Sequence, residues 1–217
     1  MKLFIDSGNI KDIEAAAALG IIDGVTTNPS LLAKEPGDYR QNLKRICQIV
    51  KGPVSGEVTA TDTSGMLQQG HDIASIDEHM VVKVPLTRDG IKACKALSGE
   101  GIRVNVTLCF SAAQALLAAK AGATFISPFV GRLDDVGTNG MDLIREIVEI
   151  YGNYDFSTEI LVASCRHPIH VIEAARLGAD IATCPPAVID QMFNHPLTNI
   201  GLEKFLKDWE KAQAVKA

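Results

Sequence analysis

A lysine interrupts an apolar run with the composition of a buried strand, Val81-Val82-Lys83-Val84-Pro85. Successive side chains of a strand point to opposite faces, so Val82 and Val84 share one face and Lys83 lies on the other. If the valines pack against helices, the amine points into the interior, where burial favours the neutral form that attacks carbonyl carbon. We expect Lys83 to be a nucleophile. The alternative is a lysine that extends out of the strand end or pairs with a carboxylate.

Two acidic residues at the ends of other predicted strands, Asp6 and Glu57, could serve such a lysine. Forming an imine, losing water and cleaving a carbon–carbon bond each move a proton. Two carboxylates around one lysine would experience unequal environments, which is how one site obtains both an acid and a base. Either carboxylate can instead be a structural acceptor for backbone or helix N-terminal amides.

Positive charge follows the sixth and seventh predicted strands. Arg132 comes shortly after one strand, and Ser164 and Arg166 come directly after the other. Two guanidinium groups and a hydroxyl match the charge and geometry of a phosphate monoester better than lysines would. We expect a phosphate site here, with surface salt bridges, such as Arg132 with Asp134 or Asp135, as the alternative.

The loop after the seventh strand and the last strand also contain residue types that bind metals, namely Cys165, His167, His170 and Cys184. His167 precedes Pro168, a pair typical of the start of a helix. We therefore expect the histidine to cap or pack locally, and we predict no metal site.

Composition excludes several classes of protein. The chain has 217 residues, of which 47% are hydrophobic and 22% charged, and its net charge is -5. It has no basic block, so nucleic acid is not an expected partner. Met1–Asp6 is too short an apolar run for a signal peptide, and no run approaches the ~18 residues of a membrane span. Five scattered cysteines without a CxxC motif favour free thiols and a cytoplasmic location.

The elements that must position these residues repeat along the chain. Three Ala-rich segments with a Gly at or next to their last position, residues 15–20, 118–123 and 174–179, each lead into a β-branched or aromatic run, which is typical of a helix followed by a buried strand. Eight strands are predicted in all, at residues 2–6, 24–27, 54–58, 80–85, 103–108, 125–129, 159–164 and 181–185. Helical segments between them favour an α/β fold, a (β/α)₈ TIM barrel over 1–217 as a single domain. A doubly wound sheet is the rival, but its Gly-rich first turn is missing.

Barrel active sites lie at the carboxyl ends of the strands. Every predicted strand but the last has a polar residue there, in the set Asp6, Asn28, Glu57, Lys83, Asn105, Thr107, Ser127, Ser164 and Arg166. After the barrel, residues 198–217 form an extra C-terminal helix with an apolar stripe of Leu202, Phe205, Leu206 and Trp209. That stripe either covers its own barrel or contacts a neighbouring subunit.

Four motifs together resemble the transaldolase family: GVTTNPSL at 24–31, VKVP at 82–85, NVT at 105–107 and SCRHP at 164–168. The resemblance covers essentially the whole chain and is greatest to the short branch that includes fructose-6-phosphate aldolase. It implies a (β/α)₈ barrel, no cofactor, and a Schiff-base mechanism in the non-oxidative pentose phosphate pathway.

The resemblance also implies residue roles. Lys83 would attack the ketone of fructose 6-phosphate or sedoheptulose 7-phosphate, and Asp6 would take the C4 hydroxyl proton as C3–C4 breaks. Glu57 would transfer protons together with a water held by Thr107. Substrate hydroxyls would be bound by Asn28, Asn105 and Ser127, and the phosphate by Arg132, Ser164 and Arg166.

Two positions bear on whether the dihydroxyacetone unit is transferred or released. Glu57 and Phe129 stand where the aldolase of this branch has Gln and Tyr. Phe129 has no hydroxyl to help protonate the enamine, which favours a transaldolase over the alternative, a fructose-6-phosphate aldolase-type lyase. The short branch further implies a homo-oligomer in which the C-terminal helix crosses to a neighbour, most simply a decamer of two pentamers.

Overall fold

Eight parallel strands close into a barrel in the order in which they occur along the chain. The computed structural model describes residues 1–214. The strands are β1 (Lys2–Asp6), β2 (Gly24–Thr26), β3 (Val54–Glu57), β4 (Met80–Pro85), β5 (Val104–Cys109), β6 (Phe125–Pro128), β7 (Glu159–Val162) and β8 (Ile181–Cys184). The predicted TIM barrel is confirmed, with strand ends within two residues of the expected ones.

Helices occupy every connection between strands. They are α1 (Ile10–Ala17), α2 (Pro29–Leu32), α3 (Tyr39–Val50), α4 (Thr63–Ala74), α5 (Arg88–Gly99), α6 (Ala112–Ala121), α7 (Val130–Asp135), α8 (Gly140–Asn153), α9 (Pro168–Leu177), α10 (Pro186–Met192) and α11 (Pro196–Ala214). Gly122 and Gly178 end α6 and α9 in the left-handed conformation, as the Ala-rich segments predict. In the first such segment the helix stops earlier, at Ala17, and Gly20 closes a turn.

The strands have two buried faces of different composition. Val82 and Val84 belong to the large core between the barrel and its helices. The barrel interior contains a separate cluster formed by Phe4, Val81, Phe125, Leu161, Ala163 and Ile181. Val81 therefore points inward, and Lys83, two residues further along β4, continues on the same face.

The C-terminal helix α11 begins at Pro196, two residues before the predicted start, and is separated from β8 by α10. Residues 215–217, which the prediction includes in this helix, lie outside the described residues. Its apolar stripe is exposed, with Phe205 71% and Trp209 65% accessible, so the stripe does not cover its own barrel. No helix within residues 1–214 combines the length and apolarity needed to span a membrane.

Candidate active site

The carboxyl ends of the strands surround a cavity of about 210 Å³. Eight of the predicted site residues line it: Asp6, Asn28, Lys83, Ser127, Phe129, Arg132, Ser164 and Arg166. The other three, Glu57, Asn105 and Thr107, do not line the cavity. Glu57 contacts Lys83, Asn105 contacts Ser127, and Thr107 is buried on β5 beyond Asn105.

Lys83 reaches the cavity from β4 and is only 5% exposed. Its Nζ donates to the Thr27 carbonyl oxygen and lies the same distance, 3.0 Å, from Glu57 Oε2. The pairing is built into the sheet, since Glu57 and Lys83 are register partners on β3 and β4. The carboxylate partner that the alternative interpretation proposed is therefore present, and it lies where it can accept a proton from the amine.

Asp6 ends β1 beside a chain of hydroxyl groups. Thr26 Oγ1 donates to Asp6 Oδ1 at 2.8 Å, and the same hydroxyl contacts Thr183 Oγ1 at 2.6 Å. Burial raises the pKa of the Asp6 carboxyl above its usual value, while the Thr26 hydrogen bond and the positive charge of Lys83 oppose the rise. Asp6 and Lys83 thus face one cavity, and the surroundings of Asp6 favour its protonated form more than water would.

The side chains of β3, β5 and β6 form a buried polar chain. Ser127 Oγ donates to Asn105 Oδ1 at 2.8 Å, and Asn105 Nδ2 donates to Ser55 Oγ at 3.1 Å. Thr107 Oγ1, in contrast, is buried with no hydrogen-bond partner among residues 1–214. Buried hydroxyls are nearly always bonded, so Thr107 has unused capacity for a water or substrate oxygen.

The two arginines approach the cavity from consecutive connections, Arg132 from α7 after β6 and Arg166 from the loop after β7. Arg132 lies over the Phe129 ring, 4.9 Å from its centroid, and Arg166 Nη2 contacts Asp135 Oδ2 at 2.8 Å. The alternative interpretation paired Arg132 with Asp134 or Asp135. The structure instead pairs Asp135 with Arg166 and Asp134 with His170. Both guanidinium groups still line the cavity together with Ser164.

Helix α7 and the Arg166 loop are also joined through their backbones. The Gly131 amide donates to the Ser164 carbonyl oxygen at 3.1 Å, and any side chain at Gly131 would collide with that oxygen. Ser164 itself has a φ of 60°, a conformation rare for a residue with a side chain. Such backbone strain is common where a loop presents groups to a ligand.

Comparison with known proteins identifies the family. A profile described as Transaldolase/Fructose-6-phosphate aldolase matches residues 3–216. The chain belongs to the transaldolase/fructose-6-phosphate aldolase family. A protein of Caldicellulosiruptor saccharolyticus named "Probable transaldolase" is 61% identical over 97% of this chain and 98% of its own length. Another of the same name from Syntrophobacter fumaroxidans is 58% identical over 98% of both.

A solved structure shares the fold alone. Thiamine phosphate pyrophosphorylase from Pyrococcus furiosus superposes with a TM-score of 0.59 at 15% identity, over 86% of each chain. The membership of this chain in the transaldolase family therefore rests on sequence, and the barrel on geometry. An aldolase- or transaldolase-type enzyme follows from the family.

Several contacts around this transaldolase-family site were not expected from the sequence. Thr26 donates to Asp6, and Thr183 contacts Thr26 and lines the cavity. Asp135 pairs with Arg166, and His170 accepts the backbone N–H of Arg166. Only Thr26 had a signal, because strand alternation places it on the same face as Asn28. His167 packs its ring 4.0 Å from that of His170 and makes no capping hydrogen bond.

Proposed function

We propose that this protein is a transaldolase that moves a dihydroxyacetone unit from a ketose phosphate, fructose 6-phosphate or sedoheptulose 7-phosphate, to an aldose phosphate. The reaction would proceed through a Schiff base on Lys83 and serve the non-oxidative pentose phosphate pathway. The observation that carries the proposal is the buried contact of Lys83 with Glu57, because Lys83 also lines a cavity together with Asp6 and two guanidinium groups.

Imine formation begins at the Lys83–Glu57 pair. Glu57 accepts a proton from the ammonium, and the free amine adds to the ketone carbon of the substrate. The resulting carbinolamine loses its hydroxyl as water, with Glu57 returning the proton to the leaving oxygen. The unpaired hydroxyl of Thr107 supports this step, because it can hold the water that leaves and that later hydrolyses the imine.

Carbon–carbon cleavage uses Asp6 as the base. Its carboxylate takes the C4 hydroxyl proton, the C3–C4 bond breaks, and the bonding electrons pass to the imine nitrogen to give an enamine. The aldose phosphate leaves with the new carbonyl at its former C4. In the second half the enamine carbon attacks an acceptor aldehyde, and Asp6 returns its proton to the new hydroxyl.

The basic end of the cavity favours a phosphorylated substrate. Arg132, Arg166 and the Ser164 hydroxyl line the same space as Lys83. Guanidinium groups bind phosphate oxygens in pairs, so this end would hold the phosphate and leave the ketone beside Lys83. The chain of Asn105 and Ser127, with Asn28, offers polar atoms for the hydroxyls between.

Transfer rather than release is favoured by Phe129. Its ring packs against Phe110 at 5.9 Å between centroids and lies under Arg132, and it brings no proton donor to the cavity. Without a hydroxyl at this position to help protonate its carbon, the enamine persists until an aldehyde arrives. We expect Phe129→Tyr to gain free dihydroxyacetone production from fructose 6-phosphate; no gain would contradict this role for Phe129.

Borohydride trapping tests the central proposal. The protein is incubated with fructose 6-phosphate and borohydride, and intact and peptide masses are measured for wild type, Lys83→Met and, as a matched control, the surface variant Lys120→Met. We expect a reduced three-carbon adduct on Lys83 in wild type and in Lys120→Met only. An intact wild-type protein without adduct would overturn the Schiff-base mechanism.

A homo-oligomer, most simply a decamer of two pentamers, is the assembly we propose. It is supported by the exposed apolar stripe of α11, in which Leu202, Phe205, Leu206 and Trp209 are each more than half accessible. Such a patch marks a protein contact more often than a free surface. Truncation after Thr198 should reduce the sedimentation coefficient to that of a smaller species, and an unchanged profile would contradict the assignment.

A further inference from the structure

His170 is a buried histidine with both ring nitrogens engaged. It lies on α9 and is 4% exposed. Its Nδ1 accepts the backbone N–H of Arg166 at 3.2 Å, and its Nε2 lies 2.8 Å from Asp134 Oδ2. Because Nδ1 accepts, the proton of the neutral ring is on Nε2 and points at Asp134.

Asp134 connects this histidine to the helix that presents Arg132. Both residues lie on α7, as does Asp135, which holds the Arg166 side chain. The second oxygen of Asp134 accepts the Gly140 N–H at 2.9 Å, at the start of α8. One six-residue helix therefore carries Arg132 and two carboxylates directed at the Arg166 loop, one of them through His170.

We propose that His170 is a positioning residue that fixes the Arg166 loop against the Arg132 helix, so that both guanidinium groups meet one phosphoryl group. The inference rests on the proposed function, since it deepens the role of the two arginines. His170 touches neither Lys83 nor the cavity, so its effect is on binding of the phosphate and not on imine chemistry.

The arrangement requires the neutral ring. Burial lowers the pKa of His170, and the neighbouring His167 lowers it further, while Asp134 and Glu173 act in the opposite direction. If Nδ1 carried a proton, two donors, Nδ1–H and the Arg166 N–H, would face each other. The hydrogen bond between the Arg166 backbone and the ring would then be lost. Acidification should therefore weaken phosphate-site binding.

Two substitutions separate the contacts of the ring. His170→Asn keeps an acceptor near the position of Nδ1 and loses Asp134, whereas His170→Gln keeps a donor near Nε2 and loses the Arg166 amide. The probe is sulfate as a competitive inhibitor at constant ionic strength, because its charge does not change between pH 5 and 8. We expect the sulfate inhibition constant to rise about tenfold in His170→Gln, the effect of one lost hydrogen bond, with kcat nearly unchanged.

A phosphate-free readout distinguishes this failure from that of the proposed function. Trapping of dihydroxyacetone on Lys83 by borohydride should proceed equally in wild type, His170→Gln and His170→Asn. The matched control is His71→Gln, an exposed histidine paired with Glu100, which should leave both readouts unchanged. If wild type traps dihydroxyacetone and binds sulfate, but His170→Gln binds sulfate equally well, the positioning role is wrong.

Wild type alone supplies a second test if a variant does not fold. A histidine that acted only as a nearby charge would tighten sulfate binding when it gains a proton. A histidine that holds the loop by Nδ1 gives the opposite sign, so sulfate binding should weaken as pH falls from 7.5 to about 5.5. Tighter binding over that interval would overturn the proposal. No trapping and no sulfate inhibition in wild type would instead overturn the proposed function.

Discussion

The strands of the barrel supply two layers of inward side chains, which differ in polarity and in packing. The lower layer is the apolar cluster of Phe4, Val81, Phe125, Leu161 and Ile181. Two residues later, β1, β4, β6 and β8 place Asp6, Lys83, Ser127 and Thr183 around the cavity. A rise of about 6.6 Å along a strand thus separates packing from chemistry.

The lower layer is tightly packed. Phe4 and Phe125 meet edge to face, with ring centroids 6.1 Å apart. Gly24 makes room for this contact, because a Cβ there would lie 2.6 Å from the Phe4 ring. The upper layer is instead a set of hydrogen-bonded polar groups around a cavity. We infer that stability depends on the lower layer and activity on the upper one, a division that substitutions can test.

Lys83→Met should have the largest effect. Without the amine no imine forms, so turnover should fall by about 10⁴-fold or more, as when other nucleophiles are removed. Methionine fills a similar volume but leaves the Glu57 carboxylate without its partner, so the thermal unfolding midpoint should fall as well. Turnover and melting curves of the purified variant check both expectations, and retained activity would remove Lys83 from the mechanism.

Phe125→Ala tests the layer below. The substitution removes a buried ring and its contact with Phe4, so we expect a loss of about 3–5 kcal/mol in the free energy of unfolding. The turnover number of the folded fraction should change far less. Urea denaturation of this variant is compared with that of Phe110→Ala, whose ring is 37% exposed and should cost less. Equal losses of unfolding free energy in the two variants would show that the lower layer contributes no more to stability than a partly exposed ring does.

Thr26→Val tests how the upper layer sets a proton affinity. The Thr26 hydrogen bond favours ionised Asp6, so its loss should raise the pKa of Asp6 further and move the acid limb of kcat/KM to higher pH. On that limb we expect about a tenfold lower kcat/KM, the effect of one hydrogen bond to a charged group, with the alkaline plateau retained. Thr183→Val, one hydroxyl further away, should move the limb less. A uniform loss at all pH values would contradict the assignment.

Gly24→Ala sharpens the comparison with the smallest change. One added methyl group must displace both the Phe4 ring and the Pro53 carbonyl, so we expect a loss of about 1–3 kcal/mol in stability. The control is Gly99→Ala, where a Cβ would meet nothing within 4 Å. An unchanged melting midpoint in Gly24→Ala would show that the lower layer tolerates more volume than its packing indicates.

The sequence predicts the barrel and the strand faces because both follow local periodicity. Lys83 stands out for the same reason, as a charge in a run of valines. The contacts of the site are less predictable. Thr26 and Thr183 are 157 residues apart, and their hydroxyl contact exists only because the barrel closes between β1 and β8. The pairing of Arg166 with Asp135, and not of Arg132, depends on loop geometry that no periodicity encodes.

Closure of the barrel also sets an order in time. β1, which carries Asp6, pairs with β8, so one edge of β1 has no partner strand until Ile181–Cys184 has been synthesised. Contacts this distant in sequence form slowly, because the chain between them must first be ordered. A growing chain therefore carries Lys83 and Glu57 long before Thr183 arrives to complete the surroundings of Asp6. The surroundings of Asp6 are therefore complete only in a chain whose eighth strand has paired with its first.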